Sequence, residues 1–185
     1  MIFARTDRLT LRALEESELP RLTELLGIWD IVRWLTVVPF PYTLRDAETF
    51  YADIKPSYEK GAPEFYALAL QTDNLLIGGV GLHAPRTPNP LEGESEIGYW
   101  LGRDFWGQGL TSEAARAVVN AGFARKGVRA IGATTAPANH ASKNVLRKIG
   151  LRDMGVMPRP YAALRGGGEV VKWLLTREEW ERNKS

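Results

Sequence analysis

The chain has 185 residues, of which 44% are hydrophobic and 25% are charged, and it contains no cysteine. This length and composition are typical of one globular domain over residues 1–185 rather than of a disordered chain. The lack of cysteine excludes disulfides and a cysteine nucleophile, and two histidines alone make a poor metal site, so we expect no bound metal.

The formal net charge is only +2, but the charges are unevenly distributed. Residues 1–100 carry 15 acidic and 9 basic side chains, whereas residues 101–185 carry 7 acidic and 15 basic ones. A basic half suits nucleic acid, a membrane surface or a phosphorylated small molecule. Nucleic acid is disfavoured because basic residues are not interleaved with aromatic ones, and no apolar run is long enough to span a membrane. The first residues do not resemble a signal peptide, so we expect a cytoplasmic protein.

Residues 1–93 combine strand patterns with two amphipathic helices. Ser17 can cap a helix that ends at Gly27, and Thr43 with Asp46 resembles the capping box of a second helix. The predicted order is a strand at 8–12, the first helix, an aromatic and proline-rich connection at 28–42, the second helix, a hairpin of strands 65–70 and 75–82, and a loop at 84–93.

Residues 94–185 alternate between strands and helices. Asn139 is expected to cap a helix that Gly150 stops. The predicted order is a strand at 94–101, a glycine-rich connection at 102–109, a helix from 111 or 112 to about 126, a strand at 129–135, the Asn139 helix, closing strands at 154–158 and 169–176, and a helical turn at 177–182. Together these elements predict an α/β or α+β protein whose sheet has mixed strand directions.

The glycine-rich connection is the most informative segment, because a strand runs into it and a helix starts directly after it. Gly107 and Gly109 allow the backbone to approach a ligand closely, and the helix start offers unpaired N–H groups at the positive end of its dipole. Such a turn suits phosphate or pyrophosphate, although a glycine pair is also common in plain tight turns. The Gly-Lys-Ser/Thr and Gly-x-Gly-x-x-Gly nucleotide motifs are both missing.

Two segments resemble the GNAT superfamily of acetyl-CoA-dependent N-acetyltransferases, and most closely its Rim-like branch of ribosomal-protein N-terminal acetyltransferases. They are 96–115, with Trp-Gly-Gln-Gly at 106–109, and 138–151, with Asn139 and Ser142. The stretches 6–12, 39–42 and 174–180 also fit, so the resemblance covers nearly the whole chain. It implies a GNAT fold, which is an α+β (mixed α/β) fold: a central, mostly antiparallel mixed sheet, splayed between its fourth and fifth strands near Gly98, with about four helices.

The resemblance also implies acetyl-CoA as the cofactor. In that family, backbone amides of the turn hold the pyrophosphate of coenzyme A, the preceding strand pairs with the pantetheine arm, and the later Asn contacts that arm. The cofactor-binding residues implied here are Tyr99, Leu101, Trp106, Gly107, Gln108, Gly109, Leu110, Thr111, Ser112, Asn139 and Ser142. Candidate phosphate partners in the basic half are Arg103, Lys143, Arg147 and Lys148.

The catalytic candidates are Glu96 and Ser142. A glutamate beside the thioester can bind the ammonium and take its proton, directly or through water, whereas its plainer interpretation is a solvated charge at a strand edge. Ser142 in the first turn of its helix can serve the leaving thiolate or simply cap the backbone, and Tyr161 is the alternative acid. Acceptor-binding candidates are Trp34, Tyr42 and Glu94, of which the two aromatic residues can equally well fill a core.

The resulting hypothesis is an N-acetyltransferase that moves an acetyl group from acetyl-CoA to a primary amine by direct attack. The acceptor is a protein N-terminal α-amine or a small-molecule amine, and the sequence does not choose between them. The alternative is a catalytically silent CoA-binding sensor or interaction module with the same fold. A homodimer is possible on this hypothesis, and nothing in the sequence decides the oligomeric state.

Overall fold

Eight strands and six helices occupy residues 1–86, 89–158 and 168–183, which are the residues that the computed structural model describes. The strands are β1 (Ile2–Arg5), β2 (Leu9–Arg12), β3 (Phe65–Leu70), β4 (Leu76–His83), β5 (Glu94–Leu101), β6 (Ala130–Thr135), β7 (Arg152–Pro158) and β8 (Glu169–Thr176). The helices are α1 (Leu19–Leu26), α2 (Trp29–Val32), α3 (Leu44–Glu59), α4 (Leu110–Ala124), α5 (His140–Lys148) and α6 (Arg177–Arg182), with short 3₁₀ turns at Glu16–Glu18 and Arg103–Phe105.

The strands form one sheet in the order β1-β2-β3-β4-β5-β6-β8-β7. β5 and β6 run parallel, whereas β1–β2, β2–β3, β3–β4, β6–β8 and β7–β8 are antiparallel. The parallel register joins residues 94–96 to residues 130–132, while β5 continues to Leu101. An added Cβ at Gly98 would meet no described atom within 4 Å. The mixed, mostly antiparallel sheet is therefore confirmed. The fourth and fifth strands of the prediction are β5 and β6, and the end of their parallel register agrees with the splay predicted near Gly98.

Local sequence signals placed most of the elements, but the start of the chain differs from the prediction. β1 and α2 were not predicted, and α1 begins at Leu19 rather than directly after Ser17, which lies in a 3₁₀ turn. The turn forms because the Glu15 N–H donates to the Glu18 carboxylate at 3.0 Å. Ser17 therefore does not cap α1, and the position before the helix is Glu18.

The chain divides into two compact units. Unit 1 comprises residues 1–81 and 99–114, and unit 2 comprises residues 82–98 and 115–185. The single domain over residues 1–185 stays a prediction. No helix within residues 1–86, 89–158 and 168–183 is both long and apolar enough to cross a membrane.

The core of unit 1 is built from α1, α2 and α3 against the strands. Its buried members include Leu14, Leu19, Leu22, Leu25, Leu26, Ile31, Val32, Tyr42, Ala47, Ile54, Tyr58 and Phe65. α3 starts where predicted, because Thr43 accepts from the Asp46 N–H and the Asp46 carboxylate accepts from the Thr43 N–H at 2.8 Å. Arg12 is also buried, and its guanidinium is held by Glu18 at 2.7 Å and by Asn74 at 2.9 Å.

The core of unit 2 packs α4 and α5 against β6 and β8. Its largest fully buried side chains include Phe123, Ile131, Leu146, Trp173 and Leu175. The Trp173 indole N–H donates to the Thr135 hydroxyl at 3.0 Å, so that the buried ring leaves no unpaired donor. Arg177 at the start of α6 donates to the carbonyls of Phe123 and Val128, which fixes the end of α4.

β7 is the last strand of the sheet and is irregular. Its register with β8 shifts between Asp153 and Val156, where Gly155 has a φ of +94°. Met154 and Val156 are about half exposed on either side of this bulge.

Candidate active site

The glycine-rich turn lies in unit 1, between the end of β5 and the start of α4. Gly107 and Gly109 have φ angles of +76° and +77°, a left-handed conformation that favours glycine. Residues 106–109 are all exposed. An added Cβ on Gly107 would meet no atom of the described chain within 4 Å. Glycine is therefore favoured here by the left-handed backbone conformation and not by a lack of space for a side chain.

This geometry fits an anion. α4 has 15 residues, long enough for a developed dipole, and the first amides of a helix have no partner within the helix. Leu110 is buried and anchors the first turn, while Thr111 and Ser112 beside it are partly exposed. The exposed turn and the helix start therefore form an arrangement that suits a phosphate or pyrophosphate group.

Trp106 precedes the turn and is fixed at one end. Its indole N–H donates to the Leu101 carbonyl at 2.7 Å, while 45% of the residue is exposed. This bond holds the last carbonyl of β5, the strand whose main chain at Tyr99 and Leu101 is expected to pair with pantetheine. The Leu101 side chain is buried, and Tyr99 is partly exposed.

An ion pair that the sequence did not reveal supports the same turn. Arg8, just before β2, donates through Nε to a Glu113 carboxylate oxygen at 2.8 Å and through Nη1 to the Gln108 carbonyl at 2.9 Å. The Thr6 hydroxyl donates to the other Glu113 oxygen at 2.5 Å. The family resemblance includes the stretch 6–12 but implies no role for Arg8.

The two aromatic acceptor candidates of unit 1 have different surroundings. Tyr42 is 8% exposed and lies in the core, which is the second of the two alternatives expected for it. Burial, and then the negative charge of Asp46, raise the pKa of its hydroxyl. Trp34 is partly exposed, with the Arg33 guanidinium 4.4 Å from its ring centroid. Tyr42 therefore fills the core, whereas solvent still reaches Trp34.

Unit 2 holds the two carboxylate candidates, and their environments differ. The Glu94 side chain is 1% exposed, and its oxygens accept from the Lys172 ammonium at 2.8 Å and from the Leu91 N–H at 2.9 Å. Glu96 is partly exposed and accepts from the Arg86 N–H at 2.7 Å. The alternative of a solvated strand-edge charge is therefore wrong for Glu94, whose carboxylate is enclosed and paired.

Asn139 and Ser142 meet at the start of α5. The Asn139 side-chain oxygen accepts from the Ser142 N–H at 3.1 Å, so Asn139 is the N-cap, as predicted. Ser142 is partly exposed within the first turn. The cap uses one lone pair of Oδ1 and leaves the two N–H groups of Nδ2 as the donors that Asn139 could offer to pantetheine.

Several of the remaining candidates have other contacts. Arg103 forms an ion pair with Asp30 at 3.2 Å, and the Arg147 guanidinium lies 5.3 Å from the centroid of the Trp173 ring. Lys143 is partly exposed and Lys148 is exposed on α5. Tyr161, the alternative acid, falls outside the described residues.

Comparison with known proteins identifies the group to which this geometry belongs. The family model described as "Acetyltransferase (GNAT) domain" matches residues 8–152. "Uncharacterized N-acetyltransferase p20" of Bacillus licheniformis is 29% identical over 161 residues, which are 87% of this chain and 88% of the relative. "Putative ribosomal N-acetyltransferase YdaF" of Bacillus subtilis is 25% identical over 182 residues and covers 96% of both chains.

Solved structures share the fold at lower identity. RimL, a ribosomal L7/L12 alpha-N-protein acetyltransferase in complex with coenzyme A, superposes with a TM-score of 0.78 at 21% identity, over 95% of this chain and 98% of that one. AAC(6′)-Ib in complex with ribostamycin and coenzyme A gives 0.77 at 22% identity, over 97% and 99%. At these identities the likeness establishes the fold.

Proposed function

Because the chain belongs to the GNAT acetyltransferase family, it is an acetyl-CoA-dependent N-acetyltransferase, and we propose that it acetylates a primary amine by direct attack, with Glu96 as the base and Ser142 as the proton donor. The observation that carries the proposal is the exposed turn at 106–109, with two left-handed glycines leading into α4. Direct attack agrees with a chain that has no cysteine to form a covalent intermediate.

The coenzyme is proposed to lie along the end of β5 and the start of α4. The main chain at Tyr99 and Leu101 would pair with the pantetheine arm, and the amides of residues 107–112 would hold the pyrophosphate. Trp106 would fix the end of the strand, and Asn139 would contribute its Nδ2 group. What acetyl-CoA supplies when bound is an acetyl group activated as a thioester.

The chain's own residues then need to move two protons. The acceptor amine has to be neutral to attack the carbonyl carbon, so Glu96 takes its proton, directly or through a water molecule. The new C–N bond forms as the C–S bond breaks, which leaves a second proton on the nitrogen and a negative charge on the departing sulfur. The Ser142 hydroxyl donates its proton to the thiolate and recovers one from the nitrogen through water, so that the products are the amide and the free thiol. Ser142 lies in the first turn of α5, where the helix dipole also favours a developing negative charge.

Glu96 is the better base of the two carboxylates on β5. The Glu94 carboxylate is enclosed and paired with the Lys172 ammonium, which neutralises it. Glu96 is partly exposed, and among the described residues it is held by a backbone amide rather than by a cation. A carboxylate in that setting can accept a proton from an amine without first losing an ion pair. Bound water is the alternative base, and Tyr161 is the alternative acid.

A protein N-terminal α-amine is the acceptor that we favour. An α-amine has a pKa of about 8 and is partly neutral at pH 7, whereas a lysine amine with a pKa of about 10.4 is almost wholly protonated, so a modest base is enough for the former. The relative YdaF and the structure neighbour RimL are named for ribosomal substrates. An aminoglycoside is the second candidate, because AAC(6′)-Ib binds ribostamycin on the same fold.

The acceptor class can be tested by following CoA release from acetyl-CoA over a panel of amines. The panel holds peptides with free N-termini, the same peptides N-terminally blocked, an aminoglycoside, a polyamine and free amino acids. We expect turnover with the free peptides and loss of it on blocking. Calorimetric binding of CoA without turnover on any amine would instead favour the silent sensor or interaction module.

The catalytic roles can be separated by pH. Glu96→Gln should lower turnover by about 10²- to 10⁴-fold at acidic pH and recover partly as the pH approaches the amine pKa. Ser142→Ala should lower turnover across the whole range, because the thiolate needs a proton even when the amine is already neutral. Glu92→Gln is the matched control, since it removes an exposed carboxylate four positions away. A drop below about threefold for Glu96→Gln would assign the base to water or to another residue.

We also propose that the protein is cytoplasmic and that it forms a homodimer. Cell fractionation would test the first, and sedimentation at several protein concentrations would test the second.

A further inference from the structure

We propose that Arg8 and Glu113 are positioning residues, which hold the peptide between Gln108 and Gly109 so that the Gly109 amide faces the coenzyme. The inference rests on the proposed cofactor site in the glycine-rich turn. Neither residue needs to touch the coenzyme, and all the contacts that carry the inference lie within unit 1.

Glu113 is the fixed end of this arrangement. One carboxylate oxygen accepts from the Thr6 hydroxyl and from the Arg8 main-chain N–H at 3.0 Å, and the other accepts from Arg8 Nε at 2.8 Å. Arg8 Nη2 lies 2.6 Å from that second oxygen. Both oxygens are therefore occupied, and the guanidinium is held in one plane by two of its nitrogens.

The free arm of the guanidinium reaches the turn. Arg8 Nη1 donates to the Gln108 carbonyl at 2.9 Å. In a trans peptide the carbonyl and the following N–H point in opposite directions, so drawing the Gln108 carbonyl toward Arg8 turns the Gly109 N–H away from Arg8. That amide is one of those proposed to bind pyrophosphate.

The turn needs such a restraint because of its composition. Gln108 has a glycine on each side, and glycine has more backbone freedom than any other residue type. The peptide between Gln108 and Gly109 can therefore rotate more easily than it could with other neighbours. If this peptide rotated freely, coenzyme binding would have to order it, and the entropy lost in ordering would weaken the affinity. The bond from Arg8 orders the peptide before the coenzyme arrives.

The plainer alternative is that Arg8 only supplies positive charge near the phosphates. Lysine separates the two hypotheses, because it keeps the charge but lacks the planar fork that reaches Glu113 and the Gln108 carbonyl at once. Arg5 offers a matched control, since it is an exposed arginine three positions earlier.

The experiment measures CoA binding by calorimetry to the wild type and to the Arg8→Lys, Arg8→Met, Glu113→Gln and Arg5→Met variants. We expect both Arg8 variants to bind CoA about tenfold or more weakly, Glu113→Gln to lose about fivefold, and Arg5→Met to stay within about twofold. KM for acetyl-CoA should rise in parallel while kcat changes little. In ¹⁵N-labelled protein without ligand, the Gly109 amide resonance should shift or broaden in both Arg8 variants and stay in place in Arg5→Met.

Wild-type affinity in Arg8→Lys would overturn the proposal in favour of charge alone, and an unmoved Gly109 resonance would overturn the orienting role. If Arg8→Met fails to fold, Glu113→Gln carries the same two measurements. Failure of the underlying site looks different: CoA would then bind normally to a Gly109→Val variant as well, whatever the Arg8 variants do.

Discussion

Two glutamates that are two positions apart on β5 show how far neighbouring residues can differ. Glu94 and Glu96 point to the same face by strand alternation, so sequence pattern treats them alike. In the structure, the Lys172 ammonium from β8 donates to Glu94, whereas the main-chain N–H of Arg86 in a loop donates to Glu96. An added Cβ on Gly132 would lie 2.4 Å from the Glu94 carboxylate, so that glycine leaves the space in which the pair forms.

Lys172→Met should therefore destabilise the protein strongly. The substitution leaves the enclosed Glu94 carboxylate without its cation, and losing one partner of a buried pair typically costs about 3–5 kcal/mol. The additional change Glu94→Gln should restore part of this loss, because it removes the uncompensated charge. Denaturant unfolding would measure both free energies.

The matched control is the exposed pair between Arg129 and Glu92, at 3.2 Å in the same unit. Arg129→Met should change the free energy of unfolding by less than about 1 kcal/mol, because surface pairs contribute little. Equal effects of Lys172→Met and Arg129→Met would show that the Glu94 pair is not desolvated in solution.

Glu113 should make the free energy of unfolding depend on pH. Burial works against its ionised form, but hydrogen bonds from Thr6 and Arg8 outweigh burial and lower the pKa of the Glu113 carboxyl. The stabilisation is thus fully present above the unfolded pKa of about 4.3 and is lost as the pH falls through the lower folded pKa.

Unfolding midpoints of the wild type and Glu113→Gln should accordingly converge as the pH is lowered from about 6 to about 3. A constant gap over that range would mean that the Glu113 carboxyl titrates alike in the folded and unfolded chains.

At the scale of elements, the glycine-rich turn and α4 act together as one binding element. Gly109→Val should weaken CoA binding about tenfold or more, because a branched side chain at a φ of +77° forces the backbone and its amides out of place. Gly61→Val is a control with the same strain, since Gly61 has a φ of +66°, follows α3 and has open space around it. It should lower the melting temperature similarly but leave CoA affinity unchanged, as measured by calorimetry.

Elements with a local signal were predictable from the sequence. Thr43 and Asp46 placed α3, Asn139 placed α5, and the apolar runs on either side of three turn residues placed the β3–β4 hairpin. β1 begins with three apolar residues in a row and so shows no alternation, and α2 is only about one turn long with no side chain that caps it. Their positions depend on partners elsewhere in the chain, such as β2 for β1.

The candidate site divides in the same way. Gly107 and Gly109 could be predicted because a left-handed turn demands glycine locally, and the cap by Asn139 because its partner is three residues away. The Arg8–Glu113 ion pair joins residues 105 positions apart, so no local pattern indicates it. The pairing of Glu94 with Lys172, 78 positions away, was missed for the same reason.

At the scale of the whole molecule, charge differs between the two units almost as much as between the two halves of the sequence. Unit 1 carries 9 basic and 14 acidic residues, and unit 2 carries 15 basic and 8 acidic ones. The glycine-rich turn lies in unit 1, although in the sequence it belongs to the basic half. The basic half as the coenzyme side therefore stays a prediction. At the turn itself, Arg8 from the acidic half donates to the Gln108 carbonyl.

CoA affinity should nevertheless fall as the salt concentration rises. The ligand carries several phosphate charges, and Arg8 is half exposed, so attraction is screened over a Debye length of about 10 Å at 0.1 M salt. Calorimetry between low and high salt would measure the slope. A flat response would show that backbone amides hold the phosphates with no net help from charged side chains.

The bulge in β7 limits how another polypeptide can pair with that edge of the sheet. An edge strand presents backbone N–H and C=O groups to which another chain can add, and such addition leads to strand-swapped or aggregated forms. At Gly155 the register with β8 breaks, which divides the edge into two short stretches around Met154 and Val156. A bulge of this kind also increases the local twist of a strand. A second polypeptide can pair with either stretch but cannot run in continuous register along both, so this half-exposed apolar edge is a poor template for self-association.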